Sequence, residues 1–103
     1  MTELEAILAA IEAILRREGR WSETPPPPEA LASEMPFCHD TLPFEHWLQW
    51  VLIPRLRQLE STGQPLPRGS AIAPYAEVML ERSGWGSAAL VARLRELDAL
   101  LNR

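Results

Sequence analysis

A chain of 103 residues is long enough for one domain with its own hydrophobic core, and an apolar content of 47% is ordinary for a globular protein. The formal net charge is −4, which argues against a dedicated nucleic-acid binder, because such proteins normally carry a basic excess or a basic face. Cys38 is the only cysteine, so an intramolecular disulfide is excluded and a reducing compartment is favoured.

The N-terminal segment does not match a secretion signal, since Glu3, Glu5 and Glu12 interrupt the uncharged run that such a signal requires. No apolar segment approaches the roughly 20 residues that cross a bilayer. We therefore expect a cytoplasmic protein that does not bind membranes, folded as a single helical-bundle domain over residues 1–103.

The first predicted helix runs over about 2–18, with Thr2 as its N-cap and Gly19 just beyond its end. Its apolar residues recur at helical spacing and form one narrow stripe: Leu4, Ile7, Leu8, Ile11, Ile14 and Leu15. The stripe is predicted to face the core. Its narrow width leaves a homodimer seam as the alternative.

A proline-rich connector follows, in which Trp21 precedes four consecutive prolines at 25–28. Consecutive prolines favour an extended polyproline II conformation. We interpret the segment as a stiff connector along the bundle. A ligand for an SH3-like or WW-like module is the alternative, although such modules are mainly eukaryotic. A short helical turn is predicted next, over 29–34.

The second long helix is predicted over 43–61, with Asp40 and Thr41 as its caps. Its predicted core face is the set Phe44, Trp47, Leu48, Val51, Leu52, Leu56 and Leu59. Trp50 and Ile53 fall outside that face, on a flank of the helix. Because Pro54 has no N–H to donate one turn back, we expect a kink over 50–54.

Two further helices are predicted over 73–83 and 87–102, the second capped by the serine at its first position. We expect Tyr75, Val78 and Met79 of the first to point into the core. No stretch alternates apolar and polar residues as a strand does. The predicted fold is therefore all-α, a small four-helix bundle with a proline-rich connector between helices one and two.

Cys38, His39 and His46 raise the question of a metal site or a thiol nucleophile. A structural zinc site needs four ligands at characteristic spacings, and one thiol with two histidines does not supply them. A nucleophilic cysteine needs a base within hydrogen-bond reach, and a neighbour in sequence usually points elsewhere. No glycine-rich phosphate loop is present either. We therefore predict no catalytic residue, no metal and no cofactor, and a protein that is not an enzyme.

The flank of the second helix is the candidate binding surface. The residues assigned to partner binding are Trp21, Trp47, Trp50, Ile53, Arg55 and Arg57. Exposed tryptophan and arginine are enriched at binding hot spots, which favours an unidentified protein partner. Two alternatives remain: Trp50 is buried under the connector beside Trp21, or the aromatic ring and the arginines contact RNA bases.

The middle of the chain carries a recognisable series of short motifs: Pro36-Phe37, Asp40-Thr41, Trp47-Leu48-Gln49-Trp50 and Ile53-Pro54-Arg55. Further motifs are Trp21 after an amphipathic helix, Pro65-Leu66-Pro67, Ala73-Pro74-Tyr75 and the leucine-rich run over 94–100. Together they resemble the YqcC-like family of small bacterial proteins over essentially the whole chain. The adjacent Cys38 and His39 depart from the family pattern.

The resemblance implies a compact helical bundle without an established activity. Genes of this family commonly lie beside a tRNA pseudouridine synthase of the C type, and some family descriptions borrow that enzyme's name. This chain lacks the length and the strands of the enzyme, and Asp40 and Asp98 lack the motif around its catalytic aspartate. We expect a non-catalytic interaction module accessory to such a synthase, with an RNA-binding accessory factor in tRNA modification as the alternative.

Overall fold

The computed structural model describes residues 2–38, 40–84 and 88–103, which contain six α-helices and a 3-10 turn at Pro36–Cys38. The helices are α1 (Glu3–Arg17), α2 (Pro28–Leu31), α3 (Phe44–Trp47), α4 (Ile53–Ser61), α5 (Ile72–Ser83) and α6 (Ala88–Leu101). A π-helical turn, Leu48–Leu52, joins α3 to α4, and we call the continuous helix over 44–61 the central helix. The described ranges contain no strand, and the predicted all-α bundle of four long helices is confirmed.

α1 begins and ends at the predicted signals. The Thr2 hydroxyl oxygen accepts a hydrogen bond from the Glu5 N–H at 3.1 Å, which satisfies one of the free donors of the first turn. Gly19 has a φ of +71°, and the following Arg20 N–H bonds back to the Leu15 carbonyl at 2.8 Å. All six residues of the apolar stripe are buried. The stripe is therefore core, and it is not available as a dimer seam.

α6 is the helix on which both α1 and α5 pack. Its buried residues form a continuous stripe of leucines: Leu90, Leu94, Leu97 and Leu101. The predicted cap of this helix, Ser87, lies outside the described residues.

The first turn of α5 is capped from α6. The N-cap residue of α5 is an alanine, which offers no side-chain acceptor. The Asp98 carboxylate instead accepts hydrogen bonds from the Ile72 N–H at 3.0 Å, the Ala73 N–H at 2.8 Å and the Ser70 hydroxyl. The Asn102 amide pairs with both the N–H and the carbonyl of Ser70, at 2.8 Å each. A carboxylate more than 20 residues away in sequence thus satisfies free N–H groups at a helix N-terminus.

The prediction that three residues of α5 point into the core is wrong for Val78, which is 48% exposed. It is only partly right for Tyr75 and Met79, which are half-buried. The buried face consists of Ile72, Ala73, Ala76 and Leu80. The cap from Asp98 and the packing against α6 set the rotation of α5 about its axis. The buried face carries two alanines, whereas the predicted face, which has bulkier side chains, stays partly exposed.

The predicted caps of the central helix have a different role. The Asp40 carboxylate accepts a hydrogen bond from the Ser33 hydroxyl at 2.5 Å, and the Thr41 hydroxyl donates to the Ala30 carbonyl at 2.7 Å. The N-cap residue is Pro43, which has no side-chain bond to the helix. The capping prediction is wrong, because Thr41 fastens the preceding loop to the one-turn helix α2 and Asp40 fastens it to Ser33, just beyond that helix.

The π turn changes which residues of the central helix face the core. In this turn the Ile53 N–H bonds to the Leu48 carbonyl five residues back, directly before Pro54, which has no N–H. A π turn contains more residues than an α turn, so the residues after it are rotated relative to a regular helix. Ile53 is 1% exposed and Gln49 5% exposed. The prediction that Ile53 lies outside the core face is therefore wrong.

The connector runs from the end of α1 to α2. Trp21 is half-buried and packs against the core, and Pro27 has φ −64° and ψ 151°, within the polyproline II region. The helical turn that follows, Pro28–Leu31, is shorter than the predicted one. The connector thus begins with an anchored tryptophan and ends at a single helical turn.

Candidate partner-binding groove

An open groove lies between the start of the connector and the central helix, and we call it the Trp50 groove. It has a volume of about 490 Å³ and is lined by Arg16, Trp21, Ser22, Glu23, Gln49, Trp50, Ile53, Pro54 and Arg57. The lining comes from the end of α1, the start of the connector and the point where the central helix changes from π to α geometry. Four of the six predicted binding residues line it: Trp21, Trp50, Ile53 and Arg57.

Trp50 is half-buried, and its indole N–H is shielded from water without an acceptor among the described residues. Buried N–H groups nearly always have a hydrogen-bond partner, and one left without a partner costs about 1–3 kcal/mol. Trp50 is therefore neither the fully exposed side chain of one prediction nor the satisfied core residue of the alternative.

Gln49 fastens the connector to the central helix. Its Oε1 accepts a hydrogen bond from the Ser22 N–H at 2.8 Å, and its Nε2 donates to the Ser22 carbonyl at 2.5 Å. We call this pair of bonds the Gln49 clamp. It satisfies a buried amide that would otherwise be costly to remove from water. Sequence reasoning missed Gln49, although a lone amide between two tryptophans in an apolar run was a usable signal.

Two arginines of the groove are engaged by carboxylates of α1. Arg57 donates to both oxygens of Glu5 at 2.9–3.2 Å and lies 3.7 Å from Glu12. The hydrogen bonds to Glu5 raise the pKa of Arg57 above its ordinary value. Arg16 pairs with Glu12 at 3.0 Å, and its guanidinium lies 4.6 Å from the centroid of the Trp21 ring. An anionic ligand would have to compete with these carboxylates.

The remaining predicted residues, Trp47 and Arg55, do not line the groove. The Trp47 ring lies edge-on to Phe37 at 4.8 Å and stacks on Phe44 at 6.0 Å, measured between ring centroids. Arg55 is exposed, and no carboxylate of the described chain pairs with it. The central helix therefore places its two tryptophans in different surroundings: Trp47 in an aromatic cluster and Trp50 in the groove.

Of the residues considered for metal or thiol chemistry, the structure describes Cys38 and His46. Over residues 2–38, 40–84 and 88–103, no three histidine, cysteine or carboxylate side chains come together in a way that could hold a metal ion. Cys38 is buried, and His39 lies outside the described residues. No helix in the described part of the chain combines the length and the apolar content of a membrane span.

Comparison with known proteins finds relatives that are similar to this chain in both sequence and fold. The chain is 44% identical over 93 residues to the uncharacterised protein YqcC of Escherichia coli K12, covering 90% of this chain and 85% of that protein. It is 43% identical over 70 residues to an uncharacterised protein of Haemophilus influenzae, covering 68% and 66%. The solution NMR structure of E. coli YqcC matches with a TM-score of 0.83 at 42% identity, over 95% of this chain and 84% of that chain.

A partial match extends to a longer protein. Over 58 residues, or 56% of this chain, the sequence is 45% identical to a stretch that makes up 15% of tRNA pseudouridine synthase C of Pectobacterium carotovorum. A family model described as tRNA pseudouridine synthase C matches residues 3–100. With this match over nearly the whole chain and a relative of known structure above 40% identity, the chain belongs to the YqcC family of small bacterial proteins.

Proposed function

We propose that this chain is a non-catalytic interaction module that binds a protein partner at the Trp50 groove. The observation that carries the proposal is the Trp50 indole N–H, enclosed without an acceptor. Because the N–H is shielded from water, a carbonyl or carboxylate oxygen of a partner would reach it only after the Trp50 ring rotates toward the groove, and the new hydrogen bond would remove the cost of the unpaired donor. Tryptophan is also among the residues most enriched at binding hot spots.

The candidate partner is a tRNA pseudouridine synthase of the C type. A segment similar to this chain forms part of a longer Pectobacterium protein with that name. Covalent linkage keeps two modules at a high effective concentration, so a linked and an unlinked version of one assembly are expected to use the same contacts. This supports an accessory role for a separate chain of the same family.

RNA binding in tRNA modification has less support than protein binding. The arginines of the groove are already paired with Glu5 and Glu12, and the chain has a net charge of −4. Phosphate contacts would release counterions and make affinity fall steeply with salt. Tight, salt-sensitive tRNA binding by this chain alone would therefore favour the RNA alternative over the proposal.

Calorimetric titration of the purified chain against the synthase C of the same bacterium tests the proposal. We expect Trp50→Ala to weaken the Kd about tenfold or more, because the ring and its donor are both lost. Trp50→Phe keeps an aromatic ring without the N–H and is expected to fall between wild type and Trp50→Ala. Arg55→Ala is the matched control, since Arg55 is exposed on the same helix outside the groove.

Circular dichroism of every variant separates lost binding from lost folding. Equal affinities of wild type and Trp50→Ala would contradict the groove as the binding site. If the wild-type chain does not bind the synthase at all, that enzyme is eliminated as the partner. Pull-downs from native bacterial lysate with the same variants would then test whether the groove binds a different protein.

A further inference from the structure

α5 carries a second apolar stripe beside its buried face, in which Tyr75 and Met79 also pack against the core and Val78 opens to solvent. Tyr75, Val78, Met79 and Arg82 are spaced i, i+3, i+4 and i+7 and line an open groove of about 400 Å³. We call these four residues the α5 stripe. Val78, in the middle of the stripe, is 48% exposed. Because positions outside the buried face of such a helix are normally polar, an exposed valine between two half-buried apolar residues makes the stripe suited to contact with another molecule.

An aromatic cluster supports one end of the α5 stripe. The Tyr75 ring stacks on Phe37 with centroids 4.0 Å apart and an interplanar angle of 6°, and it lies edge-on to Phe44 at 5.5 Å. Phe37 has a φ of +59°, a conformation that is unfavourable for a bulky residue and persists only where the surroundings enforce it. Met35, two residues earlier, is 46% exposed and adds apolar surface. The Tyr75 ring is thus held in a fixed position.

The two ends of the α5 stripe are complementary to each other. Arg82 is exposed at the C-terminal end, and no carboxylate of the described residues pairs with it. Tyr75 contributes an aromatic ring at the N-terminal end. About 10 Å of helix axis separates the two backbones, and Val78 and Met79 occupy the space between them. A cation at one end and a ring at the other can combine as a cation–π pair when two such stripes meet in opposite directions.

We propose that the α5 stripe is the interface of a homodimer, in which two copies of α5 pack antiparallel about a two-fold axis near Val78 and Met79. In this arrangement Arg82 of each copy lies over the Tyr75 ring of the second copy, and the apolar centres pack together. A two-fold interface uses the same patch on both subunits, and a stripe with complementary ends meets that requirement. The inference concerns a different face from the Trp50 groove and does not depend on the proposed function.

Sedimentation equilibrium of the full chain, from about 1 to 500 µM, tests the dimer. We expect wild type to reach twice the 11.6 kDa of one chain within this range. Val78→Glu is expected to remain monomeric, because the two-fold axis near residue 78 would bring two carboxylates face to face in the apolar centre of the interface. Arg82→Ala removes both cation–π pairs of the two-fold dimer and is expected to weaken the dimer Kd about tenfold. Ala13→Glu, which adds the same charge to an exposed position of α1, is the control and should match wild type.

Val78 and Arg82 are both exposed, so circular dichroism should show that their variants keep the fold. A wild-type chain that stays monomeric over the whole range would overturn the proposal, as would a Val78→Glu variant that dimerises with wild-type affinity. An unchanged Kd for Arg82→Ala would overturn the antiparallel arrangement. Trp50→Ala should dimerise normally, so failure of this proposal can be distinguished from failure of the proposed function.

Discussion

The Trp50 groove and the groove lined by the α5 stripe have similar volumes, about 490 and 400 Å³, but the first is lined by many polar side chains and the second mainly by apolar ones. In the groove, Gln49 holds the connector and Arg57 is paired with Glu5, while the Trp50 N–H is a buried donor without a partner among the described residues. The α5 stripe is apolar over its centre and rests on stacked rings. The two regions are therefore candidate binding surfaces for different reasons, an unpaired buried donor in the groove and uncovered apolar side chains in the stripe.

The two regions share one device, a side-chain amide that pairs with both backbone groups of a serine. Gln49 holds Ser22 beside the groove, and Asn102 holds Ser70 at the start of α5. At the second site Asp98 adds a carboxylate that caps the helix. The connector beside the groove is thus held by a neutral amide, and the start of α5 by a carboxylate as well as an amide. Three predictions, on Asp98, on Gln49 and on Tyr75 of the stripe, follow in order of decreasing effect.

The largest expected effect is that of Asp98→Ala. The variant leaves the Ile72 and Ala73 N–H groups without their acceptor, so we expect the free energy of unfolding to fall by about 2–3 kcal/mol. Urea denaturation followed by circular dichroism measures this change. Asp98→Asn keeps one acceptor oxygen and should lose about half as much. A loss below about 0.5 kcal/mol for the alanine variant would show that the cap from α6 is dispensable.

A smaller loss of about 1–2 kcal/mol is expected for Gln49→Ala, which leaves both backbone groups of Ser22 without their partner. The same denaturation experiment measures it. Gln58→Ala is the matched control, because Gln58 is an exposed glutamine on the same helix and should change stability by less than about 0.5 kcal/mol. Equal stabilities of the two variants would mean that the Gln49 clamp does not hold the connector.

The smallest expected effect is the alkaline titration of Tyr75. Burial raises the pKa of Tyr75 above its ordinary value of about 10, and the charge of Arg82 offsets part of that rise. The folded state therefore favours the neutral phenol. This contribution to stability is complete below the unfolded pKa and is lost as the pH rises through the higher folded pKa.

Tyr75 is the only tyrosine, so ultraviolet absorbance follows its ionisation directly. The midpoint should lie at higher pH in the folded chain than in the same chain unfolded in urea. A Phe37→Leu variant, which removes the stacked ring, should bring the midpoint closer to the unfolded value. Identical midpoints for folded and unfolded chains would show that the ring is not shielded from water in solution.

The candidate site could be predicted only in part. Trp50, Trp21 and Arg57 were assigned to binding from residue type and helical spacing, and all three line the groove. Ile53 was placed on the surface because the spacing assumed a regular α-helix, whereas the π turn rotates it into the core. Gln49 was missed because its role depends on the connector, which comes 27 residues earlier in the chain.

The amino-acid sequence was sufficient to predict the all-α class, the positions of the four long helices and the family. These follow from local causes: apolar spacing within one helix, the Thr2 cap, and the glycines that end α1 and α5 with positive φ. The folded structure was needed to show which face of α5 is buried, where the central helix changes register and which side chain caps α5. These depend on contacts between segments far apart in sequence, and the spacing of residues within one helix does not encode them.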